Sequence, residues 1–334
     1  MRIRLARGLL WAIAHPKRVG AVAIGLIAAL VLRSNEPETA GYGAMEVVAD
    51  ESAVYWSDVR VHEYDDEPAF ITRATLQRMT HDGERSDLVF DFKRDGHRCT
   101  PRALSPFRGS VGWLCYQEWV DGPFDPSMYM HVLGRDRYAV PFRDGERRTI
   151  ATGDRFVYSA LRDRRVVRLD PVSGERTEVS RLPDAFGRTV RVVGATEQHL
   201  WGLSQANNQD IVWKASLAGA APERVMRVPS GTIHDAAAGQ REVVLARQAG
   251  GAASLVALTP QGQRVLLERD WRIANLTVHE GIVYFASRGW LERANLASGA
   301  SERIARARIT GAPAIGGGFV YWVEHGTVRR VQLP

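Results

Sequence analysis

One short strand recurs along this chain, and any fold for it has to accommodate that recurrence. It reads Ala53-Val54-Tyr55-Trp56, Ser110-Val111-Gly112-Trp113, Phe156-Val157-Tyr158, His199-Leu200-Trp201, Glu242-Val243-Val244-Leu245, Ile282-Val283-Tyr284-Phe285 and Phe319-Val320-Tyr321-Trp322. Aligned on Val54, Val111, Val157, Leu200, Val243, Val283 and Val320, the intervals are 57, 46, 43, 43, 40 and 37 residues. Strand-built units of about 40–45 residues are the mark of a propeller.

Each marker strand has a candidate inner strand before it, as at Met45–Ala49, Thr149–Thr152, Val190–Gly194 and Ile273–Val278. After it comes a strand ending in a turn that carries Gly83, Gly174, Gly219, Gly262 or Gly299. Glycine tolerates the positive φ of tight hairpins, so its return at one place in the unit marks a hairpin. A fourth strand follows at Asp87–Phe92, Thr177–Leu182, Arg224–Val228, Arg264–Glu268 and Arg303–Ala307. Long amphipathic helical periodicity is absent after residue 44. The expected fold is all-β: a β-propeller of seven blades of four antiparallel strands, with six blades as the alternative. The last unit is one strand short. Residues 36–44 are expected to supply that strand, or the last blade stays three-stranded.

The formal net charge of +6 invites a nucleic-acid reading, but six bases (Arg2, Arg4, Arg7, Lys17, Arg18 and Arg33) and no acid lie in residues 1–33. The rest of the chain is near neutral and has no general pull on phosphate backbones, so no nucleic-acid partner is expected. Val19 to Leu32 is an unbroken apolar and glycine run flanked by Arg18 and Arg33. It suits one N-terminal hydrophobic helix, a signal-anchor over residues 1–33, with the basic side in the cytoplasm. Residues 34–44 then form a linker, possibly the closing strand, and residues 45–334 the propeller. The expected location is a single-pass cell-membrane protein facing the periplasm or outside. Secretion after signal cleavage is the alternative.

The units resemble a known family. Tyr55-Trp56-Ser57-Asp58 looks like the YWTD repeat of LDL-receptor-type propellers, and Tyr321-Trp322-Val323-Glu324 is a looser copy. That family's apolar-x-Arg and glycine turn are matched by Leu76-Gln77-Arg78 with Gly83, by Val166-Val167-Arg168 with Gly174, and by Leu291-Glu292-Arg293 with Gly299. Bacterial extracytoplasmic members, including TolB-like ones, have comparable units. The resemblance implies a propeller with a binding role and no catalytic residues, since the family's motif residues pack blade on blade.

Catalytic signatures are absent: no Gly-x-Ser-x-Gly elbow, His-Glu-x-x-His, phosphate-binding glycine loop or Cys-x-x-Cys occurs. Two neighbouring long loops stand out, Val59 to Phe70 and Gln117 to Ser127. They would raise one acidic, aromatic rim from Glu63, Tyr64, Asp65, Asp66, Glu67, Trp119, Asp121 and Asp125, suited to a cationic peptide, a sugar or a divalent ion. A polar stretch, Ser204 to Asp210, is a weaker candidate. No catalytic residue, cofactor or catalytic metal is expected; a structural Ca2+ stays open. Cys99 and Cys115 fall on neighbouring strands, where a disulfide would close 16 residues and contribute about 3 kcal/mol. The reading is a monomeric, membrane-tethered binding module for a protein, peptide or glycan. The alternatives are a propeller hydrolase or lyase acting on a sugar, lactone or peptide, and a structural part of an envelope complex.

Overall fold

The computed structural model describes residues 44–333 apart from 65–66, 90–96, 108–109, 120–127, 133–149, 153–155, 162, 171–172, 174, 188 and 260–261. The expected N-terminal helix, residues 1–33, lies outside the described residues. The fold is all-β, and its sheets follow one another along the chain. The first contains β1 (Ala44–Ala49), β2 (Ala53–Tyr64), β3 (Glu67–Thr80) and β4 (Arg85–Val89). The second contains β5 (His97–Phe107), β6 (Ser110–Trp119) and β7 (Met128–Val132). The third holds β8 (Ile150–Thr152), β9 (Val157–Ala160), β10 (Arg165–Leu169) and β11 (Arg176–Arg181). The fourth holds β12 (Thr189–Ala195), β13 (His199–Ala206), β14 (Gln209–Ser216) and β15 (Glu223–Pro229). The fifth runs through β16 (Ile233–Ala238), β17 (Val243–Ala249), β18 (Ala252–Thr259) and β19 (Gly262–Arg269). The sixth runs through β20 (Ile273–His279), β21 (Ile282–Ser287), β22 (Trp290–Asn295) and β23 (Ser301–Arg306). The seventh has β24 (Thr310–Gly316), β25 (Phe319–Glu324) and β26 (Thr327–Gln332).

Every sheet is an antiparallel meander. The first strand of each touches the first strand of the next, and β24 returns to touch β1. The sheets therefore stand in a circle with their first strands innermost. Four strands per unit holds for five sheets; the second and seventh have three among the described residues. Residues 36–43, expected as a closing strand, lie outside the described residues, and Ala44 opens β1.

The marker strands are apolar without a break because both faces of each sheet are covered. In β21, Val283 and Phe285 face a cluster shared with the fifth sheet, while Tyr284 faces one shared with the seventh. In β25, Val320 and Trp322 pack toward the sixth sheet, and Tyr321 and Val323 toward the first. Alternation along a strand sends successive side chains to opposite faces, so a sheet clamped between two neighbours reads as one apolar run. Truncating a buried ring such as Phe285 costs about 3–5 kcal/mol.

The repeat also contains a polar pair. The residue after each alignment point lies opposite a base on the third strand: Tyr55 opposite Arg78, Tyr158 opposite Arg168, Trp201 opposite Lys214, Tyr284 opposite Arg293 and Tyr321 opposite Arg330. Where the aromatic residue is missing the base is missing too, as in Gly112 opposite Val132 and Val244 opposite Ala257. The base also meets an acid on the fourth strand, Lys214 with Glu223 at 2.6 Å and Arg293 with Glu302. Six of the innermost strands carry a register irregularity. Such bulges re-aim side chains, and three of them tie a sheet to the next. Glu46 Oε2 accepts from the Leu104 amide (2.9 Å), Asp235 Oδ2 from the Leu276 amide (3.0 Å), and Asn275 Nδ2 donates to the Ile309 carbonyl (3.1 Å).

Among the described residues, β1 and β24 to β26 fall in separate sheets, and side-chain packing joins the two ends of the circle. A cluster of Val47, Val54, Trp56 and Met79 with Ala314, Tyr321, Val323 and Val328 covers the seam. His81, in the turn after β3, crosses it. Its Nε2 lies 2.9 Å from the Asp50 carbonyl and its Nδ1 2.7 Å from the Tyr321 hydroxyl, while Arg330 donates to the His81 carbonyl (3.0 Å). Nε2 donates to the Asp50 carbonyl, which can only accept, and Nδ1 shares a hydrogen bond with the Tyr321 hydroxyl. Glycine permits the approach: a Cβ at Gly317 would lie 2.2 Å from the His81 ring, and one at Gly316 2.2 Å from the Asp50 carbonyl oxygen. His81→Ala is expected to lower unfolding free energy by about 1–3 kcal/mol, and Gly316→Ala to destabilise as well. Urea unfolding checks both; wild-type midpoints for the two variants would show that the seam does not hold the ring.

Candidate functional site

In an antiparallel meander, successive hairpins alternate between two ends. The hairpins joining first to second strands therefore lie at one face of the ring, and those joining second to third strands at the other. A cavity of about 520 Å3 opens at the first of these faces. Its walls come from Glu51 of the first sheet, Phe156 and Tyr158 of the third, Thr196, Glu197 and Leu217 of the fourth, Gly239 and Gln240 of the fifth, and His279 and Glu280 of the sixth. Contributions from five sheets place it at the centre of the circle.

The charged residues of its mouth are fixed by turn chemistry. Asp50 Oδ1 accepts from the Ser52 amide (2.8 Å), the Ser52 hydroxyl (2.8 Å) and the Ala53 amide (2.9 Å), so the side chain closes the turn that presents Glu51. Thr196 does the same for Glu197: its hydroxyl accepts from the His199 amide (3.1 Å) and donates to the His199 carbonyl (3.1 Å). Glu280 occupies a two-residue hairpin with Gly281, both at positive φ (47° and 73°), the geometry of a type I′ turn. The fourth and fifth turns are joined by the Glu197 amide, which donates to the Gln240 carbonyl at 2.8 Å.

Glu51, Glu197 and Glu280 are exposed at this mouth. Glu197 lies 3.6 Å from Arg241, and His279 lies 3.9 Å from Glu280. Burial pushes the Tyr158 phenol up from its ordinary value, with the Arg168 charge pulling the other way. Among the described residues no group of three or more His, Cys, Asp or Glu side chains is placed to hold a metal ion. The site offers carboxylates, an imidazole, an amide and two aromatic rings around a polar well. That set can hydrogen-bond and pair charge with a ligand.

The rim expected from sequence belongs to the opposite face. Val59 to Phe70 is a hairpin extension and not a loop: β2 continues to Tyr64 and β3 starts at Glu67. Glu63, Tyr64 and Glu67 stand at the end of this ribbon, and Trp119 ends β6 in the neighbouring sheet. Asp65, Asp66, Asp121 and Asp125 lie outside the described residues. Cys99 faces Gln117 and Cys115 faces Pro101 across β5 and β6, so the two cysteines are diagonal neighbours. Ser204 to Asp210 is structural: Asn207 and Asn208 make the turn, and Asp210 accepts from Gln205 (2.9 Å) and from the Ile233 amide of the next sheet (3.1 Å).

The axial acids are not among the residues expected from sequence, although their positions share a mark. Glu51, Glu197 and Glu280 each sit two residues ahead of a marker strand, those starting at Ala53, His199 and Ile282. Beside them, burial holds the Glu242 carboxyl above its ordinary value of 4.5, opposed by Arg241. A carboxyl that keeps its proton more tightly in the native state than in the unfolded chain contributes stability at low pH, lost as pH rises through the folded value. Glu242→Gln is expected to flatten stability above pH 4.5 and to exceed the wild type near neutrality, read by urea unfolding across a pH series.

No family model matches the chain, and no curated protein matches it. Solved structures do. The β-propeller domain of the Trilobed protease from Pyrococcus furiosus, which has an open velcro topology, aligns with a TM-score of 0.60 and 13% identity over 88% of this chain and 98% of that one. PorZ, an essential bacterial surface component of the type-IX secretion system of Porphyromonas gingivalis, aligns with a TM-score of 0.55 and 11% identity over 90% of this chain and 38% of PorZ. The computationally designed Ika8 protein aligns with a TM-score of 0.54 and 12% identity, covering 89% of this chain and 98% of that one. At such identities the likeness is one of fold, and that fold is a β-propeller.

Proposed function

We propose that this chain is a non-catalytic binding propeller of seven blades, carried on the outer side of the cell membrane by residues 1–33. The contact of each innermost strand with the next, ending in β24 against β1, supports the blade count. The apolar run from Val19 to Leu32 between Arg18 and Arg33 supports the anchor. The ligand is a protein or peptide segment that enters the axial cavity.

One observation carries this reading: the axial well is rimmed by side chains held in capped turns from several blades, with acids and an imidazole facing two aromatic rings. A mouth of mixed character suits a peptide, whose amides, carbonyls and side chains each need a different partner. A glycan at the sheet-one rim, with Tyr64 and Trp119, is the second form of the reading. PorZ is itself a bacterial surface component, which agrees with an extracytoplasmic role. Selection of a random peptide library on the full chain is expected to converge on related sequences. Their binding should fall about tenfold in Glu51→Gln/Glu197→Gln/Glu280→Gln, with an unchanged melting temperature. Failure to enrich any peptide, or equal binding by the variant, defeats the reading. Turnover of a glycan, lactone or peptide substrate lost in the same variant would replace it with the enzyme alternative.

A further inference from the structure

The face opposite the axial cavity carries a second concentration of chemistry, on the sixth sheet. The hairpin from β21 to β22 turns at Arg288-Gly289. On one side of it runs the link from β19 to β20, with Trp271 and Arg272. On the other runs the link from β23 to β24, with Arg308. The three segments are bonded together: Trp271 Nε1 donates to the Ser287 hydroxyl at 2.5 Å, and the Ala307 amide donates to the Gly289 carbonyl at 2.9 Å. Trp290 lies directly across from Arg306 in the ladder. Two guanidinium groups lie over indole rings here, Arg288 5.0 Å from the centre of Trp271 and Arg303 5.0 Å from the centre of Trp290.

Three features set this patch apart from an ordinary solvated face. Arg272, Arg288, Arg306 and Arg308 are all exposed, and among the described residues none of their guanidinium groups pairs with a carboxylate. The buried Glu292 is already held between Arg269 (3.4 Å) and Arg303 (3.8 Å), so it does not neutralise them. The third feature is the turn itself. Arg288 has φ 46° in a type I′ position, where Asn and Gly are favoured and arginine is strained. The same hairpin uses Asn207-Asn208 in the fourth sheet, Gly250-Gly251 in the fifth and His325-Gly326 in the seventh. The chain thus places an arginine at the tip where the turn disfavours it, and backbone strain of that kind gathers at functional positions.

We propose that this surface is a binding site for an acidic glycan, one bearing carboxylate or sulfate groups. Planar guanidinium forks donate two parallel hydrogen bonds to such groups, and stacking on tryptophan fixes the fork before the ligand arrives. A single-stranded nucleic acid would need free aromatic faces for its bases, and here each indole already carries a guanidinium on one face. A membrane surface would need apolar side chains at the tip, which is Arg288-Gly289. The site is separate from the axial cavity, and neither depends on the other.

The test uses the full chain and immobilised heparin-derived and oligogalacturonate fragments, with neutral malto-oligosaccharide, single-stranded DNA and anionic vesicles as comparators. At low ionic strength one or both acidic glycans should bind, with affinity falling as salt is raised. Arg288→Asn restores a turn-favoured residue, so with Arg306→Ala it should keep or raise the melting temperature while weakening glycan binding about tenfold. Because the six bases of residues 1–33 are present in both proteins, the difference reports on this patch alone. No binding by the wild type, equal binding by the double variant, or stronger binding to DNA or vesicles than to either glycan would overturn the proposal.

Discussion

The structure depends on sheets that cannot be stable alone. Each presents two apolar faces, and each face is covered only by the next sheet in the circle. Val283 and Phe285 need the fifth sheet, Tyr284 needs the seventh, and Tyr321 needs the first. Hydrophobic stabilisation scales with apolar area removed from water, so no subset of sheets buries everything that the full circle does. The bulged first strands add directional links, from Glu46 to the second sheet and from Asp235 to the sixth. The packing fixes the circle and the bulges fix its register.

The central cavity follows from this geometry. Innermost strands must converge, and small residues mark where they crowd most: a Cβ at Gly194 would lie 2.5 Å from that of Ala238, and one at Gly239 2.5 Å from Val278. The turns at that end are short and capped, so their acids ring a well whose size the converging strands determine. On the other face the hairpins project further and differ between sheets, from the long ribbon of β2 and β3 to the tight Arg288-Gly289 turn. The two faces therefore support different chemistry on one frame.

Much of the frame was legible in the sequence because a two-sided strand leaves an unmistakable apolar run. All seven marker segments fall on second strands, and Gly83, Gly219, Gly262 and Gly299 take the positive φ expected at their turns. The aromatic-base pairs were visible as halves, Tyr284 in one motif and Arg293 in another. Their partnership needed the strand register. The axial acids are not distinguished by loop length, since Glu51, Glu197 and Glu280 sit in short turns and only the circular arrangement of the sheets brings them to one mouth. His81 could not be read at all: its partner Tyr321 lies 240 residues away, and nothing local in Thr80-His81-Asp82-Gly83 distinguishes a latch from a surface turn. The extent of β2 and β3 was misjudged because acids and a proline between Val59 and Phe70 imitate a loop, whereas ladder pairing carries the strands to Tyr64 and Glu67.

The seam guarded by His81 has a consequence for how the protein comes into being. The first sheet leaves the ribosome early, with Trp56 and Met79 bare on the side that only the seventh will cover. At about 5–20 residues per second, the wait for Tyr321 lasts on the order of tens of seconds. Throughout it, a greasy, strand-rich surface is open to other nascent chains. A helper that shields such surfaces during synthesis would act on this one intermediate, and its need would end when the imidazole finds the phenol.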